Sequence, residues 1–265
     1  MHKIAFYIGS FPIHWYGVLL ATGCFLGLWT ASRRAQLDRI PAHLIVDGGA
    51  WLILGAIIGA RSLYVISYWD RLVEDPRFPS APWLEIFMVR RGGLVFYGGL
   101  IGAIASGVIY ARKAKIPLWK FADAIAPSIP LGYVLGRIGC LMNGCCFGRP
   151  TDLPWAIRFP ADHETHGVPV HPTQLYDALL SLALYLTLAW LYRRKRFDGQ
   201  IFAAYLVAYA LLRSLVEAFR GDYPVRYLGI ATPAHLVSLL ILLAGIVLLI
   251  KLPRVRVGSS PLPPA

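Results

Sequence analysis

Charge is what this chain has least of. Lys, Arg, Asp and Glu make up 15% of its 265 residues, and only 14 are acidic, whereas 57% are hydrophobic. The mean hydropathy is +0.57. Such a balance excludes an ordinary soluble domain, which carries about 25% charged residues, and no polar stretch is long enough to fold alone. Cysteine is scarce too. The four cysteines, at 24, 140, 145 and 146, are too few for a disulfide scaffold. The net charge of +12 would suit nucleic acid. However, the basic residues lie in short clusters between long apolar runs, where they orient a membrane protein, so nucleic-acid binding is set aside. The first apolar run follows Met1-His2-Lys3, has no small-residue cleavage site and is closed by Arg33 and Arg34. It reads as a retained helix rather than a signal peptide.

What remains is an all-α integral membrane protein. Seven segments, near 13–32, 44–69, 93–111, 118–142, 174–192, 200–219 and 233–250, approach the roughly 20 residues needed to span a bilayer core. Basic residues dominate the connections after the first, third and fifth segments and at the C-terminus, for example Arg112, Lys113 and Lys115, or Arg193, Arg194, Lys195 and Arg196. The other connections are balanced, with Arg71, Arg77, Arg90 and Arg91 facing Asp70, Glu74, Asp75 and Glu85. Lys/Arg excess marks the cytoplasmic side, which puts the N-terminus outside and the C-terminus inside. The expected organisation is a single seven-helix domain over 1–252 and a disordered tail, 253–265.

The chemistry centres on 127–150, PSIPLGYVLGRIGCLMNGCCFGRP, an apolar helix carrying Arg137 and ending in a Gly/Asn/Cys-rich turn. An intramembrane arginine with no acid near it in sequence is a functional candidate by default. Under the expected topology Arg61, Arg213 and Glu217 fall at the same outer depth as Arg137, with Tyr16 and Tyr97 close by. Arg213, Glu217 and Arg220 share one helix face. The surplus of arginine there suits a phosphate, which guanidinium binds bidentately. Structural alternatives stand beside this reading: an Arg213–Glu217 ion pair, an Arg61 that snorkels, and a Tyr16 that anchors at the interface. Asp123, near Lys120, reads as structural. The stretch GGLVFYGGLIG at 92–102 permits either close helix packing or a ligand against backbone. In HPTQLYD at 171–177, Thr173 reads as an N-cap and Asp177 as a first-turn acid favoured by the helix dipole, but capping does not account for His171, Gln174 and Tyr176. His163 and His166 read as solvated, and His14 and His235 as interfacial.

Four of these stretches together resemble a known family. LGRIGCLMNGCCFG at 135–148, HPTQLYD at 171–177, HWYG at 14–17 and RSLVEAFR at 213–220 are similar, in order, to the signatures of the bacterial prolipoprotein diacylglyceryl transferases. The resemblance implies a multi-pass inner-membrane enzyme with its site toward the outer leaflet. Such an enzyme moves diacylglyceryl from phosphatidylglycerol to the lipobox cysteine of a prolipoprotein signal peptide and releases glycerol phosphate. It implies that Arg137 binds the headgroup, that Arg213 is the second essential arginine, and that Tyr16, Arg61, Gly98, Asn143, Gly148, His171, Gln174, Tyr176 and Glu217 line the site. No cofactor or metal is expected. The chain departs from the family where it has Cys140 and Cys145 in place of Asn and Glu, and Tyr97 in place of the histidine proposed as base. Tyr97 is therefore expected to hydrogen-bond headgroup or thiol. The cysteines leave three readings open: small buried apolar residues, a disulfide from Cys140 to Cys145 or Cys146, and a Cys₃His zinc site with His171. Two other functions stay in view, a non-catalytic relative that binds phospholipid and a transporter of anionic lipid.

Overall fold

A computed structural model describes residues 3–70, 86–87, 92–221 and 232–254. The acidic and basic residues expected to balance one another at Arg71, Glu74, Asp75, Arg77, Glu85, Arg90 and Arg91 lie outside the described residues, as do positions 255–265 of the expected tail.

Apart from two short hairpins the described chain is helical. A hairpin of β1 (Ile4–Ile8) and β2 (Phe11–His14) turns at Gly9, φ +61°, and leads into α1 (Trp15–Ala35). The expectation of a plain apolar entry at the N-terminus overlooked it, although a Gly-Ser pair between runs of Ile, Phe and Tyr is a two-residue turn signal. There follow α2 (Ala42–Ser67), α3 (Phe96–Lys113), α4 (Leu118–Ile125) and α5 (Ser128–Asn143). After the two-residue strands β3 (Ile157–Arg158) and β4 (Pro169–Val170) come α6 (Thr173–Tyr192), α7 (Gln200–Glu217) and α8 (Pro233–Lys251).

Among the described residues six helical spans are long and apolar enough to cross a membrane: Trp15–Asp38, Ala42–Ser67, Leu118–Asn143, Thr173–Tyr192, Gln200–Glu217 and Pro233–Lys251. The remaining expected segment, 93–111, is α3, which is not among the six; glycines crowd its start and Arg112 and Lys113 occupy its last turn. The segment expected over 118–142 is interrupted at Ala126-Pro127, between α4 and α5, because proline supplies no amide hydrogen to the helical ladder. Phe25, Leu179 and Leu240 are exposed, whereas Asp123, Gln174 and Glu217 are buried. That is how helices in hydrocarbon are arranged.

The chain divides into two compact units, residues 39–121 and residues 1–38 with 122–265. In the first, α2 packs on α3 through two glycine pairs. A Cβ on Gly59 would lie 2.3 Å from the carbonyl oxygen of Gly98, and one on Gly102 would lie 2.1 Å from that of Gly55. Spacing of four on both helices lets the backbones touch, the device by which membrane helices associate without a hydrophobic drive.

In the second unit α1 packs on α5, α5 on α6, α6 on α7, and α7 on α8. Asp123 ties the end opposite the motif-bearing turn. Its fully buried carboxylate accepts hydrogen bonds from the amides of Gly199, Ile201 and Phe202, at 2.9 to 3.0 Å, and so satisfies the first turn of α7. Lys195 joins this cluster, 2.5 Å from Asp38, 3.4 Å from Asp123 and 3.5 Å from Asp198. Burial disfavours its charge, but the three carboxylates outweigh burial and raise its pKa. Asp123 is structural, as expected, with α7 and Lys195 as its partners.

Candidate active site

The site is built where the C-terminal end of α5, the turn after it, the first turn of α6 and the last turn of α7 meet. Helix α5 stops because Gly144 adopts a left-handed φ of +77°, and its amide together with that of Cys145 closes the last turn onto Leu141 and Cys140. The chain then passes through Gly148 between two other segments. A Cβ there would lie 2.6 Å from Cβ of His171 and 2.8 Å from the carbonyl oxygen of Phe219, so no other residue fits. Backbone bonds lock the crossing: the Gly148 amide to the His171 carbonyl, the Arg149 amide to Phe219, and the His171 amide to Arg149.

The polar residues of the α6 motif hold this turn from the other side. Gln174 Nε2 donates to the carbonyl of Cys145 and the Thr173 hydroxyl donates to that of Cys146, both at 2.7 Å. Thr173 is therefore no N-cap, contrary to expectation, since its hydroxyl is spent on the turn. His171 contacts the Tyr176 hydroxyl at 3.2 Å, and both rings pack with Phe219. His163 is likewise bound rather than simply solvated. Its Nε2 lies 2.6 Å from the Gly144 carbonyl and its ring stacks on Phe159.

Arg137 is buried on α5 and does have an acid. Its Nη2 lies 2.9 Å from Oδ2 of Asp177, its guanidinium sits over the Tyr133 ring, and it donates to the Tyr133 hydroxyl. The expectation that Asp177 serves the dipole of its own helix is corrected by this cross-helix pair. Sequence held one usable signal: an acid four residues into an apolar span is costly unless paired, and Arg137 was the unpaired cation. Arg213 pairs with Glu217 at 2.7 Å, and Arg220 lies 4.0 Å from the same carboxylate. Glu217 also accepts from the Thr232 hydroxyl, and Thr232 forms a capping box with His235 at the start of α8, which gives His235 a structural place. The buried Arg137 Nε and Arg213 Nη1 have no hydrogen-bond partner among the described residues. Buried donors of this kind are costly unless something accepts from them.

Tyr16, at the start of α1, packs against Gly139 and comes within electrostatic reach of Arg137 and the three cysteines. The Sγ atoms of Cys140, Cys145 and Cys146 lie within 4.8 Å of one another. All three are free thiols, and His171 is not in their group, so of the three readings neither the disulfide nor the Cys₃His set is a feature of this structure. Cys146 sits at φ +62°, a left-handed conformation costly for a side chain with a Cβ. Hydrogen bonding with Cys140 and Cys145 lowers its thiol pKa, and Arg137 and Arg220 add to this against the effect of burial. Asn143 lies at the exposed edge, its amide 3.9 Å from Cys145 Sγ.

The residues expected from 39–121 belong to the other unit. Arg61 is buried there, its Nε donating to the Ile86 carbonyl at 2.9 Å and its Nη1 to those of Gly92 and Gly93. It therefore does not snorkel freely. Gly98 serves helix packing, and Tyr97 is exposed beside Phe96.

The assembly of motifs at one end of the bundle has counterparts among known proteins. A family model described as prolipoprotein diacylglyceryl transferase matches residues 3–251. The chain belongs to the prolipoprotein diacylglyceryl transferase family. It is 38% identical to a phosphatidylglycerol--prolipoprotein diacylglyceryl transferase of Finegoldia magna over 98% of this chain and 99% of the relative. Proteins of the same name from Synechococcus elongatus and Bacillus cytotoxicus are 35% and 36% identical, over 90% and 84% of this chain and 83% and 82% of theirs. Within this family the chain carries Cys140 in the last turn of α5 and Cys145 and Cys146 in the turn that follows.

Proposed function

We propose that this protein transfers the diacylglyceryl group of phosphatidylglycerol to the lipobox cysteine thiol of prolipoproteins and releases glycerol phosphate. The observation that carries the reading is Arg137, buried, fixed by Asp177, and left with an Nε that no described protein atom accepts from. Arg213 offers a second such donor. The two guanidinium groups bind the phosphate and stabilise the charge that gathers on it as sulfur attacks the adjoining glycerol carbon and the C–O bond breaks. Holding sulfur and carbon in line supplies the rest. Tyr16, Asn143, Gly148, His171, Gln174, Tyr176 and Glu217 line or support this site, and the family resemblance also gives Arg61, Tyr97 and Gly98 a part in handling substrate, Tyr97 as a hydrogen-bond partner of headgroup or thiol.

The same reading places a single catalytic domain over 1–252 in the inner membrane, with seven spans, N-terminus outside, C-terminus cytoplasmic and the site toward the outer leaflet. The alternation of basic connections along the sequence supports it.

Mass spectrometry of a lipobox peptide incubated with purified protein and phosphatidylglycerol tests the activity. A diacylglyceryl adduct is expected on the peptide cysteine, formed about 10²–10³ times more slowly by Arg137→Ala. Absence of an adduct sinks the transferase reading, and a near-normal variant removes Arg137 from the phosphate clamp.

A further inference from the structure

We propose that Cys140, Cys145 and Cys146 form a three-thiolate zinc site whose fourth position takes the lipobox thiol as a thiolate, a role that rests on the transfer activity proposed above. Their three Sγ atoms already lie within 4.8 Å of one another. In a tetrahedral zinc site, with Zn–S bonds of about 2.3 Å, neighbouring sulfurs are about 3.8 Å apart, so closure asks each sulfur to move by less than about 1 Å. Zinc suits the donor set, since thiolates select soft and borderline metals over magnesium, calcium or manganese. Among the described residues no fourth His, Cys, Asp or Glu joins the group. Three protein ligands with one position left over is the pattern of a catalytic zinc site rather than a closed structural one.

The sulfurs are also held from behind. The carbonyl of Cys145 is bound by Gln174 and that of Cys146 by Thr173, which fixes the turn against α6. Outer contacts of this kind are what orient metal ligands. The cysteines are half-buried, within reach of solvent and of an incoming side chain.

The reaction balances without any change of oxidation state. On binding, the substrate thiol loses its proton to solvent. The sulfur lone pair forms the S–C bond to the glycerol carbon while the C–O bond to phosphate breaks, its electron pair leaving on the phosphate oxygen. That oxygen takes a proton from solvent as glycerol phosphate departs, and the zinc remains divalent. A metal-bound thiolate is available at neutral pH where a free thiol is only a few per cent ionised, so the reaction needs no histidine at position 97.

The test uses the full chain in detergent, reduced and loaded with Zn²⁺ or Co²⁺. About one zinc per chain is expected after removal of excess metal. The Co²⁺ form should show thiolate-to-metal charge-transfer and tetrahedral d–d bands, and the d–d bands should shift with a lipobox peptide but not with its serine analogue. Cys140→Ser and Cys146→Ser should each weaken Zn²⁺ binding by more than the roughly 10–100-fold typical of outer-shell changes. Cys145→His, which keeps a ligand, should retain much of it, and Cys24→Ser should behave as wild type. Transfer should be lost on chelation and return with Zn²⁺. Full transfer by chelated, zinc-free protein overturns the site and leaves the transferase standing. Failure to bind metal in reduced protein also overturns it. Metal and thiol binding without transfer upholds the site and sinks the transferase.

Discussion

Asp177 Oδ2 lies 2.9 Å from Arg137 Nη2, joining α6 to α5 at the level of the turn that carries the cysteines. The pair is buried on both sides, and the carboxylate also feels Arg213 and Arg220. Asp177 thereby sets where the Arg137 guanidinium sits and which of its nitrogens remain for a ligand.

From this it follows that Asp177→Asn should reduce transfer by about 10-fold or more, through misplacement of Arg137. Asp177→Glu should recover part of the loss. Rates measured against phosphatidylglycerol concentration separate weaker headgroup binding from slower chemistry, and a wild-type rate in Asp177→Asn would detach the pair from the mechanism.

Two glycines of one motif should respond in opposite ways to alanine. Gly148→Ala drives a Cβ to 2.6 Å from His171 Cβ and should lower thermal stability sharply, by several kcal/mol, because backbone on both sides resists movement. Gly136→Ala meets nothing within 4 Å inside a helix and should be neutral or stabilising by up to about 1 kcal/mol. Melting curves of the two variants in one detergent check both expectations.

Lys195→Met should destabilise by on the order of 3 kcal/mol, since it leaves Asp38 and the fully buried Asp123 without their cation. The pH dependence has a definite sign. Because folding raises the Lys195 pKa, its contribution is complete below the ordinary lysine value of about 10.4 and is lost as pH rises through the folded value. Wild-type stability should therefore gain an alkaline decline that the variant lacks, measurable by thermal melts from neutral pH to above pH 10.

The length of the apolar runs located the helices, since length and composition alone decide what hydrocarbon accepts. The break at Ala126-Pro127 was readable from proline. What stayed hidden was partnership across distance. Arg137 and Asp177 are 40 positions apart, and nothing local announces that they meet. The same holds for Thr173 and Gln174, whose side chains reach back to carbonyls at 145 and 146. The cysteines were legible as a cluster in sequence, but whether sulfurs converge depends on turn dihedrals such as the positive φ of Gly144 and Cys146.

The attachment of Asp123 to the start of α7 also has a bearing on biosynthesis. Its amide partners lie 76 to 79 residues further along the chain. At a synthesis rate of about 5–20 residues per second, the carboxylate waits roughly 4–16 s after it is made before those amides exist. Throughout that interval it must stay at the membrane surface or enter protonated. The α4–α5 segment can therefore settle to its final depth only once α7 has emerged to meet it.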